Sequence, residues 1–165
     1  MSLIESLEAG RIDFREATQN VAASQATAKP HPASWSILDC VEHVVTVEDR
    51  FLGWIANGKP IEPQRDSEKE LRLFTMMQNR ASKREAPEPV RPSGRYKDLS
   101  SALQEFEKVR DRTIEVVRER GDSLYAIGAK HRFFGDVNAV ELLHLLDGHT
   151  RRHADQIREI FGSLP

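Results

Sequence analysis

The stretch Leu142-Leu143-His144-Leu145-Leu146-Asp147-Gly148-His149-Thr150-Arg151-Arg152-His153-Ala154-Asp155-Gln156-Ile157 reads as a helix whose buried stripe changes character halfway along. Leu142, Leu146, His149, His153, Gln156 and Ile160 advance by four, three, four, three and four residues, the spacing of one helical face. Apolar side chains are expected on such a stripe, yet imidazoles stand at 149 and 153. Positions i and i+4 lie about 40° apart around a helix and ~6 Å along it, so both rings can reach one ion. Asn138, with Glu141 three residues on, has the pattern of an N-terminal cap, and the helix is expected to run to about Phe161.

Working outward, three more long helices are expected. Leu3, Ile4, Leu7, Ile12 and Phe14, with Ala17, Val21 and Ala22, mark a first one reaching about residue 22, weakened in its middle by Gly10. Lys29-Pro30-His31-Pro32 breaks the chain, since neither proline has an amide hydrogen to donate. Ser36-Ile37-Leu38-Asp39 is a capping box, and Ile37, Val41, Val44, Phe51, Leu52 and Ile55 carry the second helix to about Asn57-Gly58. Leu99, Leu103, Phe106, Val109, Thr113, Val116 and Val117 mark a third, ending at Gly121. Residues 58–97, with Pro60, Pro63, Pro87, Pro89 and Pro92, form a long connection holding a short helix around Leu71, Phe74, Met77 and Ala81. Residues 131–136 read as a loop, and no period-two strand pattern is found. Four amphipathic helices in 165 residues, a length suited to one domain spanning 1–165, make an all-α four-helix bundle.

His43 is the candidate third donor, on the edge of the second helix's apolar arc, one turn from Cys40 and from Val47. It lies some six residues into that helix, whereas His149 and His153 stand eight to twelve residues from the end of the fourth. An antiparallel pairing of these helices levels the three rings at ~1.5 Å per residue. The second and third helices then run the same way, which demands a long crossover such as residues 58–97, and the order becomes up, down, down, up.

Trp35-Ser36-Ile37-Leu38-Asp39 followed by His43, and His149-x-x-x-His153-x-x-Gln156-Ile157 after Phe134-Gly135, resemble the signature blocks of the DinB/YfiT-like superfamily of metalloenzymes. The resemblance spans nearly the whole chain. It implies a bundle holding one divalent metal on three histidines, matched here to His43, His149 and His153, and it implies no DNA chemistry. Some members resemble S-transferases using a low-molecular-weight thiol such as bacillithiol or mycothiol. Others are treated as hydrolases or isomerases. Homodimers are also implied, and Met76 and Met77 on the crossover helix suit core gaps or such an interface, with cavity lining as the alternative.

Three imidazoles with further positions open describe a catalytic rather than a structural zinc site. Nickel, iron and manganese accept the same ligands, so Zn, Ni, Fe and Mn all remain candidates. Such an ion lowers the pKa of water or of a thiol, which gives a small-molecule substrate a nucleophile at neutral pH. Neither Glu141, expected as a cap, nor Glu48, expected to face solvent, offers a general base, which favours a thiolate and makes hydrolysis the alternative. A bundle that binds metal without chemistry is the rival class. Gln156 is placed to orient His153 or a water from behind.

Other residues take plainer roles. Cys40 reads as a small buried hydrophobe, Trp35 as an apolar anchor at the bundle's end, and His31, His131 and His144 lie off the stripe, with His131 near the pocket mouth beside Phe133. Arg80, Lys83 and Arg84, interleaved with Glu85 and Glu88, read as a solvated face. With 24 Lys plus Arg against 26 Asp plus Glu, the net charge is −2, which disfavours nucleic acid. One cysteine, no apolar leader and no membrane-length run point to the cytoplasm. No glycine-rich phosphate loop or Cys-x-x-Cys pair supports a nucleotide or cluster.

Overall fold

A computed structural model describes residues 1–165. Its helices are α1 (Leu3–Thr18), α2 (Ala23–Thr27), α3 (Ile37–Ala56), α4 (Ser67–Gln78), α5 (Leu99–Arg120) and α6 (Ala139–Ser163), joined by two short 3₁₀ turns at Glu88–Val90 and Gly121–Ala126. The four long helices α1, α3, α5 and α6 form the bundle, and α4 packs on α6 from outside. Capping boxes start three of the four: Ser2 with Glu5, Ser36 with Asp39, and Asn138 with Glu141, each side chain answering the other's backbone amide. Glu141 thus acts as the expected cap, buried and further bonded by Lys69 Nζ at 2.8 Å.

Contacts across the bundle give the directions. Ser6 meets Asp147 and Asp13 meets Arg158, so α1 and α6 run together. Leu7 meets Arg110 and Phe14 meets Phe106, so α1 and α5 are opposed. Glu42 bonds Ser93 and Arg95 ahead of α5, while Glu48 meets Arg110 and Thr113 within it, so α3 and α5 are parallel. The order is up, down, down, up, as the levelling of the histidines requires.

Two expectations about the elements are corrected. The first helix stops at Thr18 rather than near 22, because the Thr18 hydroxyl bonds back to Phe14 O and Arg15 O, and α2 begins after Ala22. Residues 131–136 are not simply a loop: β2 (Ile127–His131) and β3 (Gly135–Asn138) form an antiparallel hairpin, with β1 (Lys59–Pro60) on the outer edge of β2. His131 pairs with Gly135 across a tip of Arg132, Phe133 and Phe134, and Gly135 closes that tip at φ 71°, which favours glycine. These strands are too short for alternation to show in sequence.

Gly10 serves packing. A Cβ there would collide with the Asp147 carboxylate, so the absent side chain lets α1 approach α6 at the cost of helix propensity. At the bundle's centre Arg110 and Glu48 are both fully buried and form two bonds of 2.8 and 2.9 Å. Glu48 therefore does not face solvent as expected, because α5 presents a guanidinium to it. Arg110 also donates to Leu7 O and Thr150 Oγ1, and Thr113 donates to Glu48, so each charge has several partners. Arg110→Met should cost ~3 to 5 kcal/mol by stranding a buried carboxylate. Glu48→Leu combined with Arg110→Met should recover most of that in urea unfolding; equal loss in single and double variants would refute the pairing as the cause.

Candidate metal centre

His43 sits in the second turn of α3, and His149 and His153 occupy successive turns in the middle of α6; all three are buried. His43 Nε2 lies 3.0 Å from His149 Nε2, and His153 Nε2 lies 3.1 Å from it. One nitrogen from each ring falls within 4.8 Å of the others. The histidines expected to converge do so.

The outward nitrogens fix the tautomers. His43 Nδ1 is 2.6 Å from Val90 O and His153 Nδ1 is 2.7 Å from Gln156 Oε1. Both partners accept only, so both Nδ1 atoms carry hydrogen and both Nε2 lone pairs face inward. Burial keeps the rings neutral, lowering His43 to about 4 and holding His149 and His153 well below the ordinary value. His149 has one hydrogen to place. On Nε2 it can satisfy only one neighbour; on Nδ1 it is buried without an acceptor. Either way lone pairs are forced together, a conflict that a cation at their centre removes. Nitrogens about 2.0 to 2.1 Å from one ion stand roughly 3 Å apart, so this donor set fits a divalent metal.

The rings form the wall of a cavity of about 810 Å3. Trp35, half-buried, combines the expected anchoring with a ring 4.9 Å from His43 and 6.3 Å from His153. Phe51, Trp54 and Phe133 extend this aromatic lining. Gln156 bonds His153 from behind, as its position on the stripe suggested. Cys40 is buried away from the lining, its thiol pKa pushed up by burial and then by Asp39. His144 is half-buried beside Glu70 at 3.5 Å, and His31 lies at the cavity's rim. A second hollow, of about 970 Å3 between α1, α2 and the start of α5, contains none of these histidines.

Two readings change. Arg80 and Arg84 do not form a solvated face: the segment after α4 passes from α6, where Asn79, Arg80 and Ser82 bond, to α3, where Val90 and Ser93 bond, so both arginines line the cavity, where Arg152 joins them. His131 lines the cavity beside Phe133 as expected, but buried at the end of β2 rather than in a loop. The hairpin that brings it there has no periodic signature, and basic residues on an irregular segment carry no sign of which way they turn.

His131 is lowered to about 4 by burial and then by Arg84. An unfolded chain takes up its proton as pH falls below ~6.5, while the folded protein resists until near 4. Its contribution to stability is therefore whole above pH 6.5 and lost between 6.5 and 4. Urea unfolding at pH 7 and pH 5 should show His131→Gln losing less stability over that interval than the parent; identical losses would contradict this.

Among curated proteins none matches the chain. A solved structure to which it is similar is YfiT from Bacillus subtilis, described as a probable metal-dependent hydrolase with an unusual four-helix bundle topology. The identity is 18%, the match covers 96% of this chain and 83% of that one, and the TM-score is 0.59, a likeness of fold. The sequence profile of the DinB superfamily matches residues 6–157, and with the bundle order described above it shows that this chain belongs to the DinB superfamily.

Proposed function

We propose that the protein is a metal-dependent enzyme acting on a small molecule, with His43, His149 and His153 holding one divalent ion, zinc, nickel, iron or manganese. The supporting observation is the forced meeting of three Nε2 atoms, two with tautomers set by Val90 O and Gln156 Oε1, on the wall of an open cavity. A divalent ion bound there supplies Lewis acidity, lowering the pKa of a thiol or a water. Val90 and Gln156 hold the rings in orientation, and Trp35 excludes water from one side of His43.

Within this reading we favour a thiol S-transferase. Both carboxylates that line the cavity are ion-paired, Glu159 with Arg80 and Glu85 with Arg91, while Glu48 is committed to Arg110 and Glu141 to its cap away from the lining. A low-molecular-weight thiol needs no carboxylate base, since its sulfur forms a bond to an electrophilic carbon as the leaving group departs with its electron pair and the thiol proton passes to solvent. Hydrolysis is the second reading, favoured by the description attached to YfiT.

His153→Ala should abolish stoichiometric metal in elemental analysis of the purified protein; unchanged content would remove these ligands from the proposal. Metal-loaded protein assayed with small thiols and halogenated or epoxide electrophiles should turn over only with thiol present. Ester or amide hydrolysis without thiol, lost in His43→Ala, would favour the second reading, and inactivity throughout would leave a metal-binding bundle. We also propose a homodimer, since Leu71 and Met76 are exposed on α4. Sedimentation equilibrium at micromolar concentration should then show twice 18.8 kDa, and a monomer alone would exclude it.

A further inference from the structure

The cavity is lined by six arginines, Arg50, Arg80, Arg84, Arg91, Arg132 and Arg152, in a chain whose net charge is −2. Only two of the six have carboxylate partners, Arg80 with Glu159 at 2.7 Å and Arg91 with Glu85 at 3.5 Å. Arg152 is buried, and its two terminal nitrogens donate to Asn79 O and Ser82 O, so it is locked in place without being neutralised. Arg84 is half-buried against Phe133 and Phe134, its guanidinium carbon 5.8 and 5.1 Å from their ring centres, and its Nη1 is buried with no acceptor.

His131 completes the arrangement. Phe133 N–H donates to its Nδ1 at 3.1 Å, so the neutral ring carries its hydrogen on Nε2, which has no protein acceptor. Its ring lies 6.0 and 5.1 Å from those of Phe133 and Phe134, the two rings that Arg84 covers. A buried guanidinium donor and an imidazole N–H, both without a protein acceptor, therefore share one cavity with a second, immobilised guanidinium that has no carboxylate partner.

We propose that this cavity binds its substrate through an oxyanion, a carboxylate or phosphate, held by Arg84 with Arg152 and His131, while an aromatic or other apolar body lies against Phe51, Trp54 and Phe133. Arginine presents paired donors suited to planar carboxylates and to phosphates, and water-poor surroundings strengthen each charged bond. The inference deepens the small-molecule reading above. It concerns the arginines and His131, none of which is a proposed metal ligand.

The test is calorimetric titration of the full-length protein, metal-loaded and again after chelation, with benzoate, phenyl phosphate and the uncharged benzamide. Either or both anions should bind and benzamide should not, and the preferred anion separates carboxylate from phosphate. Arg84→Gln should weaken that binding about 10- to 100-fold in both forms, Arg84→Lys less, with circular dichroism unchanged. The proposal is overturned if neither anion binds, if benzamide binds as well as benzoate, or if Arg84→Gln leaves affinity unaltered. Binding confined to the metal-loaded protein and insensitive to Arg84→Gln also overturns it, since the ion alone would then be the anion's partner. A protein that holds no metal yet binds anions through Arg84 would refute the ligand assignment and leave this one standing.

Discussion

The ion pair between Arg110 and Glu48 is the contact on which the bundle's register depends. Both groups are fully buried, and taking two charges out of water is repaid only when geometry and additional hydrogen bonds are nearly complete. Here they are: Leu7 O, Thr150 and Thr113 supply the remaining partners, so one guanidinium and one carboxylate draw together α1, α3, α5 and α6. A shift of any of these helices by one turn would strand a charge. Because Thr150 follows His149 directly and Glu48 lies five residues beyond His43, fixing Arg110 also fixes the level at which the histidines meet. Charge pairing in the core thus sets the geometry of the neighbouring site, whereas apolar packing alone tolerates small slips.

The crossover has a second task beyond joining parallel helices. Glu42, adjacent to His43 and buried, accepts from Ser93 N at 2.7 Å, from the Ser93 hydroxyl at 3.1 Å and from Arg95 N at 3.1 Å. This clamp holds the segment whose Val90 carbonyl orients His43. The bundle's topology forces a long connection between α3 and α5, and that connection returns to the cavity with Arg80, Arg84 and Val90. Orientation of one imidazole and three of the six cavity arginines, Arg80, Arg84 and Arg91, therefore come from the least regular part of the chain.

Legibility in the sequence followed the same division. The long helices, their caps at Ser36 and Asn138, the bundle order and the meeting of His43 with His149 and His153 could be read, because helical periodicity and residue rise convert directly into position. Glu48 was misplaced because its partner Arg110 is 62 residues away, and no local spacing announces a buried pair. The hairpin at 127–138 and the inward turn of Arg84 were missed for a related reason: short strands and irregular segments take their direction from what they pack against. His131 carried the only hint, through the neighbouring Phe133.

The two buried polar systems differ in completeness, and the difference locates chemistry. Around Arg110 every guanidinium nitrogen and both Glu48 oxygens have partners within the protein, as expected of a group that only supports structure. At the cavity, His149 Nδ1 and Arg84 Nη1 are buried without partners, and the His131 Nε2–H has no protein acceptor. Each such group costs about 1 to 3 kcal/mol if left unanswered. What marks the cavity wall is the combination found there, neutral imidazoles whose lone pairs are crowded together and guanidinium and imidazole donors beside them without acceptors, the pattern of a site whose partners arrive from outside the chain: a cation for the lone pairs and an anion for the donors.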